Sequence, residues 1–148
     1  MIFSNIFGKT LTYDNIFVII FSNDNRMALM YEIILYEDAQ GYCPIQALID
    51  ELDSKAGSDK NSRVQLKQLR FQIDLLHEVG TWSGFTKHIR NGIWELKPGN
   101  NRILFFFWKR NTIVLLHSFR KRSQKTPEKE IAQAEREKLD WISRYGHQ

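Results

Sequence analysis

Hydrophobic positions along the chain switch between helical and extended spacing, and each switch marks the edge of an element. Leu29 to Tyr36 reads Leu-Met-Tyr-Glu-Ile-Ile-Leu-Tyr, a β-branched and aromatic run that predicts a buried strand, with Asp38 to Cys43 as the loop after it. From Pro44, a residue suited to the first turn of a helix, Leu48, Ile49 and Leu52 make an apolar stripe that Gly57 stops. A second helix starts on Ser58 or Asp59 as cap, carries Leu66, Leu69, Ile73 and Leu76 at spacings of three and four, and ends at Gly80, so the pair forms a helical hairpin.

Beyond Gly80 the period becomes extended. Ile93 to Lys97, Arg102 to Trp108 and Ile113 to Phe119 are β-rich runs separated by Pro98-Gly99-Asn100-Asn101 and Lys109-Arg110-Asn111. Asn91-Gly92 supplies a tight hairpin turn before the first of them. The middle run, Ile103 to Trp108, is apolar at every position and requires cover on both faces. Thr126-Pro127-Glu128 then offers a cap, a proline at the first helical position and an acid in the first turn. Ile131, Ala134, Leu139 and Ile142 give the helix that follows an apolar side. Strand, two helices, three-stranded antiparallel meander and helix together predict an α+β domain with helices packed on a mostly antiparallel sheet.

Length permits one domain with one core, and the lone cysteine, Cys43, allows neither an internal disulfide nor a cysteine-based metal cluster, which fits a reducing cytoplasm. Ile16 to Phe21 is far shorter than the roughly 20 apolar residues of a membrane-spanning helix, and the start lacks the basic region and small-residue cleavage site of a signal peptide. No membrane association is expected. A second methionine, Met27, precedes the first convincing strand. Residues 1–26 therefore read as an N-terminal extension of open status and residues 27–148 as the domain.

Charge changes the picture further. The formal net charge is only +4, yet Thr81 to Lys125 holds ten Lys and Arg against a single acid, Glu95. Such concentration suits a polyanion-binding surface, and equally a solvated basic face or a docking patch for an acidic protein.

The stretch Lys87-His88-Ile89-Arg90-Asn91-Gly92-Ile93-Trp94-Glu95-Leu96-Lys97, followed by Arg102-Ile103-Leu104-Phe105-Phe106, resembles the central hairpin of RelE/ParE-superfamily toxins. Ile113 to Pro127, with its His117-Ser118-Phe119-Arg120-Lys121-Arg122-Ser123-Gln124-Lys125-Thr126-Pro127 ending, resembles the last strand and basic turn of the HigB-type branch. The resemblance implies a RelE-like fold from about Leu29 onward. It also implies a toxin of a type II toxin–antitoxin system that cuts messenger RNA on the ribosome without metal or cofactor, with a helix-turn-helix antitoxin of the HigA type as partner. Departures are Ile93 and Glu95 where several such nucleases carry lysines, Lys97 for a common arginine, Ser118 for a glycine, and only Tyr145 as a remote counterpart of a C-terminal tyrosine. Two rivals stay open: a ParE-like inhibitor of DNA gyrase without nuclease activity, and a non-toxic basic nucleic-acid-binding module.

Metal-free RNA cleavage needs a base for the ribose 2′-hydroxyl, cations for the phosphorane-like charge and an acid for the leaving oxygen. Arg102, Lys121, His117 and Lys97 are the candidate catalytic residues, and Lys87, His88, Arg90, Phe119, Arg120, Arg122 and Lys125 the candidate RNA-binding ones. Arg102 is expected to clamp the scissile phosphate through two parallel bonds, the alternative being a strand-end arginine laid over the aromatic core. Lys97 shares a strand face with Glu95 and either pairs with it or contacts phosphate. Arg120, Lys121, Arg122 and Lys125 cluster where the last strand meets the C-terminal helix, and His117 and His88 are possible proton carriers. Phe119 is the best base-stacking ring, whereas Trp94, Phe106 and Trp108 are expected to fill the core. No histidine stands at metal-ligand spacing from a cysteine or carboxylate.

Overall fold

The structure, a computed structural model, describes residues 9–13, 16–20 and 30–147. Five strands, β3 (Glu32–Leu35), β4 (Thr86–Arg90), β5 (Ile93–Leu96), β6 (Asn101–Trp108) and β7 (Thr112–Arg120), form the sheet that carries the predicted domain. Strands β1 (Lys9–Tyr13) and β2 (Ile16–Ile20) continue it past β3, giving the order β1-β2-β3-β7-β6-β5-β4. All neighbours are antiparallel except β3 and β7, which run parallel because the helical hairpin α1 (Pro44–Ala56) and α2 (Lys60–Val79) and the meander intervene between them. The predicted α+β architecture is the one observed. The proposed start of the first strand at Leu29 and the boundary at Met27 lie outside the described residues.

Local chemistry explains the helix ends. Pro44 occupies the start of α1, and the Asp59 carboxylate caps α2 by accepting from the amides of Asn61 and Ser62 at 3.1 and 2.9 Å. Gly80 closes α2 at φ +59°, and a Cβ there would meet the Tyr31 ring at 2.8 Å, so both conformation and space require glycine. His77 joins this end of the helix to the sheet, its Nδ1 lying 2.6 Å from the Tyr31 carbonyl. In the β4–β5 hairpin, Asn91 and Gly92 both take positive φ, +50° and +75°, as the expected tight turn demands.

Helices cover both faces of the sheet. Ile33, Leu35, Leu96, Ile103, Phe105, Ile113 and Leu115 pack against α1 and α2 through Ile45, Ile49, Leu66, Leu69, Ile73 and Leu76. On the opposite face Ile34, Ile93, Leu104, Phe106, Trp108, Val114 and Leu116 pack against Ala134 and Trp141 of α3 (Glu128–Tyr145). The apolar run of β6 thus finds the double cover it requires. Each large side chain buried there contributes about 2 kcal/mol of transfer free energy.

Register sets which residues reach which face. Ile103 pairs with Ser118 and Phe105 with Leu115, so two residues of β7, Leu116 and His117, lie opposite Leu104 alone. This β-bulge lets both of them face α3: Leu116 joins its apolar cluster and His117 bonds to its glutamates.

Some sequence expectations are corrected. Thr86–Arg90 forms a strand that the hairpin turn implied but the polar pattern concealed. Leu139, assigned to the apolar side of α3, is 66% exposed. Trp141 and Glu137 are buried instead. Thr126 does not cap α3: its hydroxyl donates to Glu95 Oε2 at 2.6 Å, and no side chain caps the helix.

Candidate functional site

Helix α3 covers only part of its sheet face. Beyond its N-terminus, at the ends of β5, β6 and β7, the alternation that buries Ile93, Leu104 and Phe106 places Lys87, Glu95, Lys97, Arg102 and Phe119 in a cleft of about 180 Å³. The segment from Lys121 to Pro127, between β7 and α3, forms its wall. Six basic side chains line it: Lys87, Lys97, Arg102, Lys121, Arg122 and Lys125. Of these, Lys87, Lys121, Arg122 and Lys125 are exposed and Lys97 half-buried. Among the described residues none of these five is ion-paired.

Arg102 is different. It is 8% exposed, its Nε stands 3.5 Å from Oε1 of the equally buried Glu95, and its Nη1 donates at 2.7 Å to the carbonyls of both Gly99 and Asn101. Neither an arginine laid over the aromatic core nor the two-bonded phosphate clamp expected from sequence describes it. Nη1 is hydrogen-bonded and Nε is held in an ion pair, so among the described residues only Nη2 has neither kind of partner and the guanidinium presents one nitrogen rather than a fork. Nor does Glu95 pair with Lys97. Its carboxylate serves Arg102 and Thr126, which leaves Lys97 available to the cleft.

Other sequence candidates lie elsewhere. His117 is 3% exposed beneath α3, with Nδ1 2.9 Å from Glu137 Oε2 and Nε2 3.0 Å from Glu130 Oε2. Both ring nitrogens are occupied, which corrects its assignment as a proton carrier at the RNA. Burial by itself would lower its pKa, but Glu137 and Glu130 outweigh that and raise it above the usual histidine value. Arg90 is bound to Glu128 and, at 3.1 Å, to Glu135 of α3; these two acids, Glu128 first, hold its pKa above the ordinary arginine value. It stands outside the cleft lining. His88 lies opposite Trp94 in the β4–β5 pair, its ring edge-on to the indole at 5.0 Å, outside the cleft lining. Arg120 lines a separate depression toward α1 and α2, with Glu51, Lys55 and Asp59. Phe119 borders both depressions, half-buried, as a ring placed for stacking must be.

Sequence reasoning passed over Glu95, Ser123, Gln124 and Thr126 as lining residues. Glu95 had a legible signal, being the only acid among ten cations from Thr81 to Lys125 and following Ile93 at the spacing of an inward-facing position. For the wall residues no such signal existed. Among the described residues no group of three or more His, Cys, Asp or Glu side chains is arranged to hold a metal ion, and no helix is long and apolar enough to cross a membrane.

No curated protein matches the chain. Residues 51–138 match the family described as Phage derived protein Gp49-like (DUF891), a span that begins within α1 and takes in every residue lining the cleft. The second helix of the hairpin, the meander and the basic turn are thus inside the matched span, and the chain belongs to the Gp49-like family of RelE/HigB-like toxins of toxin–antitoxin systems.

Proposed function

We propose that the toxin is a metal-independent endoribonuclease that cuts messenger RNA on the ribosome. The observation that carries this reading is the convergence of Lys87, Lys97, Lys121, Arg122 and Lys125, all without ion pairs among the described residues, around Arg102 in one cleft. Phosphate contacts made by such cations release counterions and hold an RNA backbone in register. In the reaction the ribose 2′-oxygen gives its proton to water and attacks the adjacent phosphorus. The bond to the 5′-oxygen breaks, that oxygen takes a proton, and a 2′,3′-cyclic phosphate remains. Arg102 Nη2, Lys97 and Lys121 stabilise the extra negative charge of the five-coordinate phosphorus, while Lys87, Arg122 and Lys125 hold the flanking phosphates and Phe119 stacks on a base. The partner in this reading is a helix-turn-helix antitoxin of the HigA type, the compartment is the cytoplasm, and residues 27–148 are the toxin domain.

Primer extension on a reporter message, with translating ribosomes and purified protein, tests the reading. Wild type is expected to produce new ends that require the ribosome, and Arg102→Ala to slow their appearance about a hundredfold or more. A wild type that arrests growth yet leaves messages intact would sink the nuclease and move the search to DNA gyrase.

A further inference from the structure

Glu95 is a paradox if the cleft binds RNA, since a buried carboxylate repels the phosphate the surrounding cations attract. It is 5% exposed and stands on β5 opposite Leu104. Its two oxygens are used separately: Oε1 faces Arg102 Nε at 3.5 Å, on β6, and Oε2 accepts from the Thr126 hydroxyl at 2.6 Å, just before α3. One side chain therefore ties two strands to the wall of the cleft, at the point where that wall turns into the helix. Arg102 has further anchors, for Nη1 donates to the carbonyls of Gly99 and Asn101 at 2.7 Å. These bonds fix the guanidinium plane from both sides of Nη2.

We infer that Glu95 is a positioning residue, whose carboxylate holds Arg102 so that Nη2 is aimed into the cleft and holds Thr126 so that the wall stands beside it. The inference rests on the nuclease reading above and deepens it. Three arguments support the role. A charged buried group persists where its partners are charged or hydrogen-bonded, and both Glu95 oxygens have such partners. The pair Glu95–Arg102 is close to neutral, so Arg102 directs while the cations without ion pairs around it supply the attraction. A guanidinium restrained at Nε and Nη1 spends little conformational freedom when it meets a phosphate, and such pre-positioning raises the rate of the chemical step more than the affinity for the ground state.

Glu95→Gln, Glu95→Asp and wild type, all as the full chain, provide the test. Gln retains an oxygen for Thr126 but removes the negative charge from Arg102. Asp retains the charge on a shorter arm. Cleavage is measured against ribosome concentration on a reporter message, and the Arg102 Nε–H resonance is followed by NMR without RNA. The expected result is a fall of about tenfold or more in the limiting rate for Glu95→Gln, a half-saturation point within about threefold of wild type, and partial recovery with Glu95→Asp. The Arg102 Nε–H signal, protected from solvent exchange in wild type, should exchange faster in Glu95→Gln. Cleavage by Glu95→Gln as fast as wild type or faster would overturn the inference and mark Glu95 as a mere electrostatic obstacle, as would an unchanged Arg102 signal. If wild type cuts no RNA at all, the nuclease reading fails by that result, while the Arg102 signal still decides whether Glu95 holds the guanidinium.

Discussion

Two regions of the same sheet face treat positive charge in opposite ways. Under α3, each basic side chain described above has acidic partners: His117 lies between Glu137 and Glu130, and Arg90 is bound by Glu128 and Glu135. Past the N-terminus of α3, Lys87, Lys97, Lys121, Arg122 and Lys125 surround the cleft without ion pairs among the described residues. A count of basic residues along the chain adds these two populations together. The structure separates cations already consumed in holding a helix to the sheet from cations still able to attract a polyanion, and only the second kind marks a site.

The sharpest way to break the contrast is to empty the open end. Replacing Lys121, Arg122 and Lys125 together by alanine should lower RNA affinity by about tenfold or more and flatten the dependence of log affinity on log salt by about 2, since each lost contact to single-stranded RNA removes about 0.7. The melting temperature should stay within about 2 °C of wild type, because these side chains are exposed and make no ion pair among the described residues. Filter binding across a salt series, with calorimetry alongside, reads both quantities.

At the closed end the reverse is expected. His117→Leu places an apolar group between Glu130 and Glu137 and should cost about 3 kcal/mol of stability in denaturant unfolding, while cleavage per folded molecule changes little. A smaller effect is its pH dependence. The folded-state pKa of His117 is raised, so the stability it contributes is complete below the ordinary value of about 6.5 and is lost as pH climbs through the elevated one. Wild type should therefore soften relative to His117→Leu above pH 6.5, and a wild type that grows steadily firmer against this variant over that range would contradict the arrangement. The smallest change belongs to Arg90→Ala, which breaks an exposed pair. Its melting temperature should move by no more than about 2 °C, with RNA affinity unaltered.

How much of this was legible beforehand depended on whether the information was local. The helical hairpin and the three predicted strands of the meander were readable because burial imposes a period on apolar residues, and the Asn91-Gly92 turn because its conformation restricts residue choice. Strand β4 was not, since Thr-Lys-His-Ile-Arg at a sheet edge has no strong apolar alternation to betray it. Leu139 misled for a related reason. A helix stripe that includes Glu137 looks wrong until the imidazole that receives this carboxylate is known, and His117 lies 20 residues away in sequence. In the site, the basic turn identified Lys121, Arg122 and Lys125, but nothing in composition could tell a paired Arg90 or a three-way tied Arg102 from a free cation.

The bulge in β7 makes the address of these residues a matter of odd and even. Counting by twos from Val114, which packs toward α3, would assign Ser118 and Arg120 to the cleft side, and Phe119 and Lys121 to the helical hairpin. The one surplus residue reverses that assignment. A deletion of Leu116 or His117 would remove the surplus residue and leave Phe119 and Lys121 on the cleft side, whereas losing the bulge at unchanged length would turn Ser118 and Arg120 there instead. The surplus residue thus lets a second side chain, His117, face α3 without moving the cleft residues that follow, and an insertion or deletion beyond His117, where no bulge absorbs it, is predicted to present a different set of side chains to whatever the cleft binds.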